Sequence, residues 1–409
     1  MTVPDINLVD ADSYAKGGAP HEQFAWLRQH EPVFWHHGDH DRGWPGFWAI
    51  TRHEDVTYVS RHPEIFSSHR RLALFDEAPE EHIAIQQLMM LNQDPPDHTR
   101  KRSIVNRGFT PRAIGALEQH IRDIATDLIN QVGEEADFVR DIAAPLPLYV
   151  ICELLGAPPE DREKIFNWSN TMIGYDDPEY QPTPGESEAA AAAIYAYAQE
   201  LAEQRAAEPR DDIVTKLLEP DSQGDRLSTD EFDLFVLLLM VAGNETTRNA
   251  ASGGMQAFFE HPDQWRRLVE EPALAGTAVD EVVRWVTPVN LFRRTATRDI
   301  DLHGRRIHEG DKVVVFYSSA NRDETIFKDP YTFDVGRDPN PHIGFGGGGP
   351  HFCLGAHLAR LELRVLLETL SGLMPGIRLT GNVRRLRSNF INGIKEMPVR
   401  RTSASASRG

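Results

Sequence analysis

The sequence predicts a mainly α-helical protein with a minor β portion. Three observations carry this. Apolar residues recur at helical spacing through most of the chain. Alternating or continuous β-branched runs occur only near the N-terminus and between about residues 290 and 320. No composition break or repeat divides the sequence, so residues 1–409 are expected to form one domain, with a Ser-rich, disordered tail at 402–409.

The elements follow in order. Gly46-Phe47-Trp48-Ala49-Ile50 reads as a short strand, and Arg52 to Ser60 as a short helix. His36, His37 and His40 beside Asp39 and Asp41 resemble a metal cluster, but Gly38, Gly43 and Pro45 favour a turn-rich loop. A basic segment follows, with Arg100, Lys101, Arg102, Arg107 and Arg112 and no acid between His98 and Arg112. It is a solvated helix face, a cradle for a cofactor's carboxylates or a contact for an acidic partner protein. Ile114 to Val132, Glu160 to Ile173 and Glu186 to Ala207 are helical by pattern. Gly174 to Gly185 is a Gly- and Pro-rich connection, a surface loop or a lid. Cys152 lies among apolar residues and reads as a small buried hydrophobe.

Ser228-Thr229-Asp230-Glu231 is a capping box, with Ser first and Glu three later. The helix that it opens runs to Glu260, where His261-Pro262 ends it. Roughly 30 residues at 1.5 Å each span about 45 Å, enough to cross the molecule. Its centre, Val241-Ala242-Gly243-Asn244-Glu245-Thr246-Thr247, is small and polar. Polar groups in so apolar a helix are costly, and such local rule-breaking marks function. Glu271 to Val286 is a further helix, with Glu281 and Arg284 three apart. Ile300 and Leu302 alternate, and Val313 to Phe316 is a buried strand.

Bulk properties narrow the classes. With 40% hydrophobic and 26% charged residues, the 409-residue chain reads as a soluble globular protein. A formal net charge of −19 argues against nucleic-acid binding. Two distant cysteines, Cys152 and Cys353, form no disulfide framework and fit a reducing cytoplasm. The N-terminus lacks a signal-peptide pattern. The longest apolar run, Leu234 to Ala242, is too short for a membrane anchor.

The chemistry concentrates in Gly344 to Arg364, GFGGGGPHFCLGAHLARLELR. Gly344, Gly346 and Gly349 satisfy G-x-G-x-x-G. A dinucleotide site needs a strand before them, and Asp338-Pro339-Asn340-Pro341 cannot supply a central one. A zinc site would want more Cys or His nearby, and an acyl-transfer site more than His351. A single cysteine at the mouth of a helix suits a tuned thiolate, and one cysteine as sole axial thiolate fits haem.

With these residues the sequence resembles the cytochrome P450 family of haem-thiolate monooxygenases, in four ordered signatures. They are Asp94 to Arg102, Ala242 to Thr247, Glu281 to Arg284 and Phe345 to Gly355. Where the family carries an aromatic residue seven before the cysteine, this chain has Gly346, with Phe345 one place earlier. The resemblance implies the P450 fold, with haem b between the long helix and the cysteine loop. Cys353 is then the iron ligand, in a loop closed by Gly355. His98, Arg102, Arg294 and His351 hold the haem propionates. Glu245 and Thr246 supply protons and a hydroxyl during O2 activation, and Gly243 lets oxygen approach the backbone. Thr246 bonding only to the carbonyl four residues back is the plainer alternative. Ferredoxin and ferredoxin reductase are the implied electron donors, with Arg100–Arg112 a candidate docking patch. The wording of residues 241–249 and 344–349 is similar to an actinobacterial branch that oxidises sterol side chains and methyl-branched lipids. Met89, Met90, Met172, Ala242, Leu291 and Phe292 are candidate lining for a hydrophobic substrate. A peroxide-using or natural-product-tailoring haem enzyme and a non-catalytic haem sensor are the competing readings.

Overall fold

The computed structural model describes residues 5–38, 46–78, 80–174, 176–180, 183, 185–221 and 224–402. Of the tail expected at 402–409, residues 403–409 lie outside them, as do residues 39–45 and part of the 174–185 connection. Helices dominate, and the longest runs from Thr229 to Glu260, 32 residues or about 48 Å. The expected capping box is present: the Glu231 N–H donates to Ser228 Oγ and the Ser228 N–H donates to the Glu231 carboxylate. Most of this helix is buried. It packs against the helices Pro145–Leu155, Arg162–Ile173, Glu186–Ala207 and Ala275–Val286, so it forms the axis of the main core.

The two β portions read separately in the sequence meet in one five-stranded sheet. Its strands are β1 (Val33–His36), β2 (Phe47–Ile50), β3 (Phe66–Ser67), β4 (Leu291–Ala296) and β5 (Lys312–Phe316). The order is β1-β2-β5-β4-β3, with β2 and β5 parallel and the other pairs antiparallel. Ile300–Leu302 pairs with Arg305–Ile307 in a separate hairpin. The helix predicted over Ile114–Val132 is two, Pro111–Gly115 and Glu118–Gln131. Pro111 starts the first under a Thr110 cap, and the chain turns at Ala116-Leu117 before the second begins.

Glu281 and Arg284 form a buried ion pair, Nε to Oε2 at 2.7 Å and Nη2 to Oε1 at 2.8 Å. Arg284 also donates to the carbonyls of Asn321, Pro330 and Thr332, while Glu281 accepts from Asp334 N, Arg337 Nε and Asn340 Nδ2. One charged pair thus fixes the 321–340 meander that leads to the cysteine loop.

Candidate active site

A cavity of about 1340 Å³, mouth included, lies between the long helix and the loop 344–355. Phe235, Leu238, Leu239, Ala242, Gly243, Thr246 and Ala250 of the long helix face it. Their spacing of three and four is one helical stripe. The stripe explains why Ala242 is exposed in the middle of a buried helix. Gly243 has a packing reason as well: a Cβ there would lie 2.6 Å from Ile151 Cδ1 on the neighbouring helix.

Cys353 opens onto the opposite wall. It counts as accessible because its side chain meets the cavity, although it sits deep in the molecule. Burial pushes its thiol up, opposed by a hydrogen bond from the Gly355 N–H and by the charges of Arg102 and Arg360. The loop before it turns tightly. Gly346, Gly348 and Gly349 have φ of +104°, +84° and +75°, a backbone only glycine adopts at low cost. Phe345 meets the departure at Gly346: it lines the cavity, its carbonyl accepts the Cys353 N–H at 2.9 Å, and Arg360 lies 4.4 Å above its ring.

His98, Arg102, Arg294 and His351 all reach this cavity. Arg294 comes from β4 and is buried, donating to the Arg293 carbonyl at 2.6 Å. The His98 and His351 rings are 4.4 Å apart. Burial, then the charge of Arg102, brings His98 down to about 4, and its Nδ1 has no partner among the described residues. Burial holds His351 well below the usual histidine range, helped by Arg294. Its Nε2 is 3.2 Å from Ser68 Oγ. None of the described lining residues is a carboxylate, and neither Arg102 nor Arg294 has an ion-pair partner among the described residues. Converging donors without an anion, facing a thiol that wants a positive neighbour, fit a flat cofactor with two carboxylates and a metal centre.

Thr246 lines the cavity and its hydroxyl donates to the Ala242 carbonyl at 2.7 Å, the back-bond that the sequence left as the plainer alternative. Glu245 points elsewhere. It is fully buried and ion-paired through Oε2 to Arg248 Nη2, while Arg248 Nη1 donates to Asn170 Oδ1 at 2.7 Å. Glu245 Oε1 and Arg248 Nε lack partners among the described residues. Burial raises the Glu245 carboxyl above its usual range, against the pull of Arg248.

Of the expected apolar lining, Met90, Ala242 and Phe292 face the cavity. Leu291, Met89 and Met172 do not. Leu291 precedes Phe292 on β4, and successive strand residues point to opposite faces. It is buried in the second core cluster with Phe316. Met89 and Met172 pack against the main core. Leu91, Val289 and Tyr317 also line the cavity and carry no sequence signal of their own. The helical stripe from Phe235 to Leu239 was open to detection from its spacing.

The basic segment also differs from the docking patch expected. It is a helix, Asp97–Asn106. Arg100 pairs with Asp225 and Glu231, and Lys101 is buried with its Nζ 3.0 Å from Glu231. Arg107 donates to the carbonyls of Glu219 and Pro220. These charges anchor the start of the long helix, where Glu231 belongs to the cap, and leave Arg112 as an exposed member.

Comparison with known proteins agrees with this geometry. The family model described as Cytochrome P450 matches residues 185–370. A steroid C26-monooxygenase of Rhodococcus jostii (strain RHA1) is 46% identical over 411 residues, covering 98% of this chain and 85% of that protein. A methyl-branched lipid omega-hydroxylase of Mycobacterium tuberculosis (strain ATCC 25618 / H37Rv) is 44% identical over 417 residues, covering 98% and 95%. A Mycobacterium marinum cytochrome P450, solved in complex with pseudoionone, superposes with a TM-score of 0.91 at 37% identity, covering 98% and 99%. With relatives this similar along nearly its whole length, the chain belongs to the cytochrome P450 family of haem-iron monooxygenases.

Proposed function

We propose that the protein inserts one atom of O2 into an apolar C–H bond of a sterol side chain, a terpenoid or a methyl-branched lipid. It does so on haem b ligated by the Cys353 thiolate, as a single domain in the cytoplasm, with electrons from a ferredoxin and its reductase. The observation that carries this reading is the division of the cavity. One wall presents Cys353 with His98, Arg102, Arg294 and His351. The other presents Met90, Leu91, Phe235, Leu238, Leu239, Ala242, Val289 and Phe292 and, among the described residues, no charge. A substrate there is held by apolar area alone. The names of the relatives, for steroid C26 and lipid omega oxidation, agree with such a lining.

When bound, haem supplies the iron at which O2 is reduced and its O–O bond split. The chain's own residues supply the rest. The Gly355 N–H, Arg102 and Arg360 favour the thiolate form of Cys353. His98, Arg102, Arg294 and His351 would hold the cofactor's two carboxylates in charge-assisted hydrogen bonds, which are stronger than neutral ones. Thr246 Oγ1 lines the reacting space and accepts a hydrogen bond there while it donates to the Ala242 carbonyl; turning its O–H away from that carbonyl hands its proton to the cavity side as it takes up another. Glu245, whose carboxyl burial raises and whose Oε1 has no partner among the described residues, holds a proton nearer neutrality than an ordinary carboxyl. The absence of any helix long and apolar enough to cross a membrane, among the described residues, agrees with a cytoplasmic setting.

The reduced protein with carbon monoxide tests the ligation: a Soret band at the position typical of thiolate is expected, and lost in Cys353→Ser. Absence of haem would overturn the reading. Spectral titration with sterols, terpenes and branched fatty acids, followed by product analysis, tests the substrate class. A response only to polar ligands would contradict it.

A further inference from the structure

The buried arginines point to a second site, at the far end of the long helix. Arg28, Arg205, Arg248, Arg284 and Arg293 are nearly inaccessible, and each reaches a carboxylate: Glu324, Asp212, Glu245, Glu281 and Glu77. Two further buried arginines, Arg294 and Arg322, have no ion-pair partner among the described residues. Arg294 faces the cavity whose proposed occupant brings two carboxylates. Arg322 faces a different cavity of about 770 Å³, mouth included.

Segments distant in sequence enclose that cavity. Gly18 and His21 close it from the N-terminal region, Gln256 and Glu260 from the end of the long helix, and Arg385 and Asn392 from the C-terminal segment. Arg322 donates to the carbonyls of Arg284 and Trp285 at 3.0 and 2.9 Å and lies 4.2 Å over the Trp285 ring. Arg385 donates to Gln256 Oε1 at 3.3 Å and to Asn392 Oδ1, and its Nε is buried without a partner. His21 Nδ1 is likewise buried and unpartnered among the described residues. Among the described residues, every hydrogen-bond acceptor of the two guanidinium groups is therefore neutral. Glu260 is exposed and accepts from Gln256 Nε2 at 2.8 Å. It acts on Arg385 only through space, as Glu281 does on Arg322. A buried cation without a counter-charge costs several kcal/mol, and a guanidinium stays charged. Gly18, at φ +76°, lets the N-terminal segment close over Arg385; a Cβ there would sit 3.3 Å from Nη2.

We propose that this cavity binds a small oxyanion, phosphate or carboxylate in chemistry, between Arg322 and Arg385. The bound anion links the N-terminal segment to the C-terminal segment and stabilises the fold from outside the haem site. The guanidinium forks offer the planar, paired donors that such groups accept.

The test uses the haem-loaded protein, so that the cations of the first cavity are engaged. Its thermal midpoint is followed against inorganic phosphate and, separately, acetate, with chloride holding ionic strength constant. A saturable rise is expected with at least one of them, following the binding isotherm. Arg385→Gln should weaken the apparent affinity by about tenfold or more while leaving the carbon monoxide spectrum unchanged. Phosphorus NMR of wild-type protein gives a second reading that needs no variant: phosphate resonance broadening is expected if phosphate is the anion. A shift that chloride reproduces, one that persists unchanged in Arg385→Gln, or no response to either anion would overturn the proposal.

Discussion

Two glutamate–arginine pairs, each three residues apart on a helix and each buried, differ in how completely they are satisfied. Glu281 and Arg284 leave nothing over: both carboxylate oxygens and all three guanidinium nitrogens are bonded, several of them twice. Glu245 and Arg248 share one contact, Asn170 takes one Arg248 nitrogen, and Glu245 Oε1 and Arg248 Nε have no partner among the described residues. A saturated pair has no alternative arrangement and acts as a strut for the meander. In the proposed function the unsaturated pair, beside Thr246, is the one assigned to release its carboxyl, take up a proton and return. Glu362 is the limit of the series: burial alone acts on it and raises its carboxyl to about 8, and its Oε2 has no partner among the described residues.

The sharpest way to break this contrast is Arg284→Met. It would leave Glu281 with Arg337 as its one remaining ion-pair partner among the described residues and release three backbone carbonyls, at about 3–5 kcal/mol. Urea unfolding should show the loss, and haem content should fall with it. Arg248→Met should cost less, about 1–3 kcal/mol, because burial raises the Glu245 carboxyl and it can take up a proton once the cation is gone. Equal losses in the two variants would contradict the distinction. Glu362 gives a pH test. Its folded pKa lies above the unfolded value of 4.5, so the native state binds the extra proton and stability falls as pH rises from there to about 8. This group contributes a slope of about 1.4 kcal/mol per pH unit. Glu362→Gln should flatten the dependence across that window and gain on wild type until pH 8. A parallel curve would show that the carboxyl titrates normally. Thr246→Ala should change stability by under about 1 kcal/mol, keep haem, and lower the product formed per reducing equivalent. Unchanged coupling would leave the hydroxyl only its bond to Ala242.

Much of this was legible in the sequence, for reasons that differ by residue. The long helix announced itself through its capping box and its terminating His261-Pro262. Cys353 and the glycines stood out because a thiol after a tight turn has few other uses. The union of the two β portions in one sheet was not readable, because the parallel pairing of Phe47–Ile50 with Lys312–Phe316 crosses more than half of the chain. Leu291 and Phe292 show a second limit. Both are apolar, and only the register of β4 decides which meets the cavity. The basic segment shows a third. Its charges are real, but Asp225 and Glu231, more than a hundred residues away, engage Arg100 and Lys101.

The most direct test of the account is Glu245→Gln, measured as product formed per reducing equivalent and as turnover rate in the haem-loaded protein. The account expects retained haem, an unchanged carbon monoxide band, near-native stability, and turnover lower by about a hundredfold. Wild-type turnover and coupling in that variant would contradict it and reduce Glu245–Arg248 to a second strut.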